Sequence, residues 1–266
     1  MSTNPIRHIL SLSGGKDSTA LAVYTRDRIP DIEYVFMDTG EELPETYDYL
    51  DNIEAYLGKP IVRLNPERPF THYLDVYRGV LPDARTRWCT RMLKLKPFER
   101  YVGDDPAISY LAIRADESHR KGYISTKNNI RAVYPFIEDG IRKEDVFRIL
   151  DECGLKLPNY YKWRSRSGCY FCFFQRRNEW VGLLENHPEL FERAKAFERV
   201  DPATGSPFTW VTRESLVQLQ APERIREIKE QQGHLGIQKR EVATGLLANI
   251  LVDEDDEEKS CLICHL

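Results

Sequence analysis

Short apolar runs alternate with stretches of helical spacing through the first half of the chain. The run RHILSL at 7–12 has the apolar character of a buried strand, and TALAVYTRDR at 19–28 carries the spacing of a helix. The same alternation recurs in IEYVFM at Ile32–Met37, a β-rich segment. It is followed by a helical pattern over Pro44–Leu57 with proline in its first turn, a stop at Gly58 and a short strand over Ile61–Leu64. Further on, 92–102 reads as a helix, ISYLAI at 108–113 as a buried strand, and Lys143–Glu152 as a helix that Gly154 ends. Beyond Arg176 the pattern is mostly helical, with stretches near 179–200 and 213–232. Strand and helix in alternation predict right-handed crossovers and a parallel α/β sheet of Rossmann-like design with helices on both faces. Ligands of such sheets bind beyond the carboxyl ends of the strands.

Composition sets the outer limits. At 266 residues, with 41% hydrophobic and 30% charged residues, the chain has enough apolar material for a full core. The expected organisation is a nucleotide-binding domain over 1–175, a helical C-terminal extension over 176–252, and an acidic tail over 253–266 carrying a cysteine pair. No apolar run is long enough to span a membrane and MSTNPIRH lacks a signal-type hydrophobic region, so the expected location is cytoplasmic, without membrane contact. Six cysteines in such a chain point to metal binding or catalysis rather than a disulfide framework. The net charge of −4 hides an uneven distribution: basic residues dominate between Arg85 and Arg177, while DEDDEE precedes Cys261. A basic middle suits phosphates or a nucleic acid strand, and equally a solvated face laced with salt bridges.

The chemistry concentrates first at SGGKDS, Ser13 to Ser18, between the first strand and the first helix. Gly14 and Gly15 allow a tight turn and close approach of a ligand. The free N–H groups of the helix start attract anionic oxygens, Lys16 adds a point charge, and the hydroxyls of Ser13 and Ser18 supply further hydrogen bonds. The loop matches neither G-x-x-x-x-G-K-[ST] nor G-x-G-x-x-G. A glycine turn with helix-capping serines is the structural alternative.

The loop resembles the pyrophosphate loop of the adenine nucleotide α-hydrolase superfamily. MDTGEELPETYDYL from Met37, LAIRADESHR from Leu111 and YPFIEDGIRKEDVFRIL from Tyr134 are similar to the corresponding blocks of the phosphoadenosine phosphosulfate (PAPS) reductase family. The resemblance runs over roughly residues 7–175. It implies an ATP site built from Ser11, Ser13, Gly14, Gly15, Lys16, Asp17, Ser18, Asp38, Thr39 and Gly40. Asp38 would bind Mg²⁺ or a hydroxyl near the pyrophosphate. Lys16, Asp17, Asp38, Arg114 and Arg120 form the expected catalytic group, with the guanidinium forks on phosphate or sulfonate oxygens and Glu117 and Ser118 orienting them.

A second resemblance lies in RTRWCTRMLKLKPF from Arg85 and SGCYFCFF from Ser167, which are similar to segments that hold a [4Fe–4S] cluster in sulfonucleotide reductases. Here Thr90 follows Cys89 where a second cysteine is expected. Cys89, Cys169 and Cys172 remain as thiolate ligands, and either Cys261 or Cys264 supplies the fourth or one iron stays open. Structural Zn²⁺ is the alternative. Cys153, in DECGLK, lacks the histidine of the reductase nucleophile motif and is expected to be structural. Trp163, Arg164, Arg166, Tyr170, Phe171, Phe173 and Phe174 interleave aromatic and basic groups, which suits either single-stranded nucleic acid or a shield around a metal.

The function these resemblances imply is that of an ATP pyrophosphatase most like the enzymes of bacterial DNA phosphorothioation, which adenylylate an acceptor, the DNA backbone, for sulfur incorporation. A cysteine desulfurase and other phosphorothioation proteins are the expected partners, and a homodimer is among the expected assemblies. The alternatives are a PAPS or adenylyl-sulfate reductase and a non-catalytic nucleotide-sensing subunit of a defence complex.

Overall fold

The computed structural model describes residues 5–120, 125, 127–201 and 203–240. Cys261, Cys264 and the acidic run 253–258 lie outside them, so the expected contribution of the tail to a metal site does too. Five strands form one parallel sheet in the order β3-β2-β1-β4-β5, made of β1 (Arg7–Ser11), β2 (Ile32–Met37), β3 (Ile61–Leu64), β4 (Ala107–Tyr110) and β5 (Ile130–Val133). In β1 the period of two sends Leu10 to one core and Ile9 to the other. Both faces are covered, which parallel strands require.

One face is packed by α1 (Lys16–Thr25), α2 (Pro44–Leu57), and, later in the chain, α6 (Pro135–Glu138) and α7 (Lys143–Glu152). Between them in sequence come α3 (Phe70–Val76), α4 (Trp88–Thr90) and α5 (Lys96–Val102). Tyr49, Leu50, Ile53 and Leu57 make the buried stripe of α2, and the helix ends on Gly58, which takes φ +63° and donates to the Glu54 carbonyl. Phe98 and Val102 of α5 cover the other face together with Ile9, Val35 and Met37.

The helix expected at 92–102 begins earlier, at Trp88, and its middle, Arg91–Leu95, is wound as a π-helix. Pro97 has no N–H to give to the Leu93 carbonyl, so the regular ladder cannot run through it. Other boundaries also moved. The first helix starts at Lys16 rather than residue 19, because the polar residues of the loop supply its first turn. Strand β4 spans Ala107–Tyr110, so the apolar residues 111–113 belong to the segment that leaves the sheet. Strand β5, four residues long, carries too short a pattern to be read from sequence.

The C-terminal part is helical but not continuously so. The stretch 179–200 divides at His187 into α8 (Arg177–Asn186) and α9 (Pro188–Ala196), since Pro188 cannot continue the preceding helix. A small antiparallel pair, β6 (Arg199–Val200) and β7 (Pro207–Phe208), follows, then α10 (Leu216–Leu219) and α11 (Pro222–Arg240). Trp180, Phe191, Trp210 and Leu216 of this part share one core with Phe70, Trp88, Tyr160 and Phe171. That core clamps the segment 160–175 against the sheet domain. No helix among the described residues is long and apolar enough to cross a membrane.

Candidate functional site

Strand β1 sits between β2, the next strand in the chain, and β4, which enters on its other side. The order therefore reverses at β1, and the general rule for such sheets puts a ligand site beyond the carboxyl end of that strand. Ser13 to Ser18 lies there. Gly14 has φ +70°, and a Cβ on it would meet Thr46 Cγ2 at 2.8 Å; one on Gly15 would meet Ser167 Oγ at 2.6 Å. A side chain at either position would force its neighbour to shift, and Gly14 also holds a left-handed backbone conformation. Ser18 knots the loop: its Oγ accepts from Ser13 N at 3.1 Å, lies 3.0 Å from Ser13 Oγ and donates to the Gly15 carbonyl at 3.1 Å. Ser11, at the end of β1, buries its hydroxyl without a hydrogen-bond partner among the described residues.

Two tyrosines from the far end of the domain hold the loop in place. Lys16 N donates to the Tyr161 hydroxyl at 3.0 Å, and Tyr160 donates to the Gly14 carbonyl at 3.1 Å. Neither was legible in the sequence, where they were two aromatic residues of a loop. Their proximity to SGCYFC was the one available signal.

The expected catalytic group falls into two sets. Arg114, with a side chain only 1% exposed, bonds Asp17 Oδ1 at 3.0 Å, Asp116 at 3.2 Å and Glu117 Oε1 at 3.5 Å. Arg120 shares the same Glu117 oxygen at 2.5 Å, and Lys16 Nζ lies 3.5 Å from Asp17 Oδ2. Lys16, Asp17, Arg114 and Arg120 are therefore one buried network, organised on Glu117. Such a network is rigid because every member leaves an unbalanced charge if another is lost. Asp38 stands apart at the end of β2, half-buried, with Oδ1 accepting from Gly40 N–H at 2.9 Å and the Tyr47 hydroxyl at 2.8 Å. Burial and that carboxylate push the Tyr47 hydroxyl well up, so it stays a donor to Asp38.

The cysteines meet in a second place. Cys89, Cys169 and Cys172, brought from α4 and the 167–174 segment, line one pocket with Thr39, Lys94 and the apolar walls Pro82, Leu93, Phe171, Phe173 and Phe174. Arg164, itself buried, donates to the Gly168 and Cys169 carbonyls at 3.0 and 2.8 Å and so shapes the cysteine turn. Thr39 Oγ1 lies 3.3 Å from Cys169 Sγ and donates to Glu42 Oε1 at 3.1 Å, and the thiol reaches the same carboxylate oxygen at 3.6 Å. Burial and the Glu42 charge hold the Cys169 thiol well above the usual range. Glu42, beside Cys169, and Lys94, on the pocket wall, are residues that sequence reasoning missed.

Among the described residues no three His, Cys, Asp or Glu side chains are drawn together closely enough to hold a metal ion. The donor chemistry nevertheless suits a soft centre: three thiols on one apolar-walled pocket. Cys153 stays out of both places. Its Sγ donates to the Leu150 carbonyl at 3.2 Å at the end of α7.

A parallel α/β domain with a glycine loop at its switch point defines a nucleotide-binding class of protein. The chain belongs to the phosphoadenosine phosphosulfate reductase domain family, which it matches over residues 7–173. It is 28% identical over 198 residues to an uncharacterized protein of Methanocaldococcus jannaschii, covering 70% of this chain and 40% of that protein. It is 28% identical over 112 residues to the adenosine 5′-phosphosulfate reductase of Staphylococcus haemolyticus, 41% of this chain and 45% of the relative. Over 207 residues it is 25% identical to the tRNA-specific 2-thiouridylase MnmA of Ligilactobacillus salivarius, 65% of this chain and 53% of that enzyme. The chain spans about half or less of the length of each.

Proposed function

We propose that this chain is an ATP pyrophosphatase that adenylylates an acceptor, the DNA backbone, so that sulfur can be incorporated. The observation that supports it most is the contact between its two places. Ser167 touches the nucleotide loop, and two residues further on Cys169 lines the thiol pocket, so an activated phosphorus and a sulfur source would be neighbours. The similarity to a phosphosulfate reductase and to a tRNA 2-thiouridylase agrees with sulfur chemistry on an adenine nucleotide.

In this reading the loop from Ser13 to Ser18 holds the β- and γ-phosphates, with Asp38 as the residue that would hold Mg²⁺. A non-bridging acceptor oxygen attacks the α-phosphorus, the bond to the β-phosphate oxygen breaks, and pyrophosphate leaves. Sulfide then attacks the activated acceptor phosphorus and expels AMP. Lys16 and the loop N–H groups stabilise the charge that develops on the leaving pyrophosphate. Arg114 and Arg120 act through Glu117 and Asp17 as positioning residues, since their guanidinium groups are engaged there. Cys89, Cys169 and Cys172 would hold a [4Fe–4S] cluster, or Zn²⁺, and a cluster held there would supply a thiophilic centre for sulfide. A cysteine desulfurase is the partner class that would deliver that sulfur.

The test is release of pyrophosphate and AMP from Mg-ATP by protein purified without oxygen, with Lys16→Ala alongside. The expected result is release that falls tenfold or more in the variant. Full cleavage by Lys16→Ala would overturn the loop assignment. Sulfite formed from PAPS with thioredoxin, and no ATP cleavage, would replace this reading by a reductase.

A further inference from the structure

The thiol pocket does not end at its aromatic wall. Pro82, Phe173 and Phe174 also line a second, open groove of about 830 Å³, whose other side is built by the 83–87 loop and by Phe208, Trp210 and Arg213 beyond α9. This groove has a chemistry of its own. Arg85, Arg87 and Arg213 line it against a single carboxylate, Asp83. That carboxylate is spent within its own turn, accepting from Arg85 N–H and Thr86 N–H at 2.7 Å each and from the Thr86 hydroxyl at 3.1 Å. Phe173 and Phe174 stand half-buried with ring centroids 4.3 Å apart, and the Arg87 and Arg166 guanidinium groups lie 5.4 and 5.9 Å from the Phe174 ring.

The backbone adds an independent observation. Arg87 and Arg213 hold φ +34° and +65°, a left-handed conformation that costs a non-glycine residue. They are two of the three such residues among those described, and both line this groove. A loop shaped only for its own stability would carry glycine or asparagine there. Strained arginines fit a site where the side chain has work to do.

We propose that this groove binds an unpaired segment of a nucleic acid strand, with phosphates on Arg85, Arg87 and Arg213 and a base on the Phe173–Phe174 platform. Cationic side chains that neutralise phosphate, beside aromatic faces that stack any base, are the chemistry that recognises a single strand. A duplex keeps its bases stacked on one another and offers none to the platform. The groove shares its wall with the thiol pocket, so a strand lying in it passes beside Cys89 and Cys172. The assignment rests on the proposed reaction only for the fate of the bound strand.

Fluorescence anisotropy of the full chain with labelled twelve-nucleotide single-stranded DNA, single-stranded RNA and duplex DNA, without ATP, tests it. Single strands are expected to bind, with log affinity falling against log salt with a slope of about −2 for three phosphate contacts. Arg85→Gln/Arg213→Gln, both exposed positions, is expected to flatten that slope to about −0.7, and Phe174→Ala to weaken binding about tenfold. A preference between the two single strands identifies the source of the strand. Duplex bound more tightly than single strand, or single-strand binding unchanged in both variants, would overturn the proposal. So would no binding by protein that still binds ATP. Strand binding with no pyrophosphate release under any condition would sink the proposed reaction and leave the groove assignment standing.

Discussion

The Ser167 hydroxyl donates to the Ser13 hydroxyl across 3.4 Å, joining the cysteine segment to the Ser13–Ser18 loop although 154 positions separate them in sequence. The space between these segments is filled, because a Cβ on Gly15 would come within 2.6 Å of Ser167 Oγ. The cysteine turn and the Ser13–Ser18 loop are therefore in direct contact, with no room for a side chain between them.

From this contact, Gly15→Ala should weaken ATP binding about tenfold, and Ser167→Ala in the same chain should recover part of the loss by removing the obstructing oxygen. Calorimetric titration of the two single variants and the double variant measures the coupling. Strict additivity would show that the contact does not constrain the loop.

Arg114→Ala should cost about 3–5 kcal/mol of stability, since it leaves Asp17 and Glu117 buried beside no guanidinium from that position. Arg114→Lys keeps the charge and loses the fork, so it should cost less. Urea unfolding of the two variants decides the matter, and an alanine variant as stable as the parent would contradict the buried network.

Gly182 lies inside α8 with Trp163 packed on it, and a Cβ there would sit 2.6 Å from Trp163 Cε3 and 3.0 Å from Cβ. Gly182→Ala gains about 1 kcal/mol of helix propensity and meets an overpacking cost of about 1–3 kcal/mol. The indole cannot withdraw like the end of a flexible chain, so overpacking should win. A lower melting temperature is the expected reading, and a higher one would mean the Trp163 side of the core yields.

Glu33 accepts two bonds from Arg7, at 2.8 and 2.6 Å, and one from the Tyr101 hydroxyl at 2.6 Å. The Arg7 hydrogen bond holds its carboxyl below the usual 4.5 despite opposing burial. Because the folded value is depressed, the stabilisation is present above the unfolded carboxylate's pKa and is lost as pH falls through the folded one. Glu33→Gln should cost about 1 kcal/mol at pH 7. The gap between variant and parent should close below about pH 4. Unfolding free energy measured from pH 3 to pH 7 would contradict this if the gap were constant.

The sheet could be read from the sequence because its strands announce themselves locally. IEYVFM and IVRL carry enough β-rich apolar pattern to mark β2 and β3 to the residue. IRAV at β5 does not, having four residues and one arginine, and exists because the edge of β4 offers it a partner. The long helical pattern after Arg176 hid a break, since the spacing of apolar residues continues across His187 and Pro188 while the backbone does not.

For the site, residue type and spacing by themselves marked Ser13 to Ser18 as the candidate phosphate loop, because glycine freedom, helix-start N–H groups and lysine charge act within six consecutive residues. They also marked Cys89, Cys169 and Cys172 as a group through resemblance. What only the tertiary structure decided is who stands beside whom. Tyr160 and Tyr161 brace the loop, Glu117 is shared by Arg114 and Arg120, Glu42 faces Cys169, and Phe173 and Phe174 wall both the thiol pocket and the arginine groove. The reason is physical: a local pattern encodes the conformation of neighbouring residues, whereas charge pairing and packing act through space between segments that the fold alone brings together.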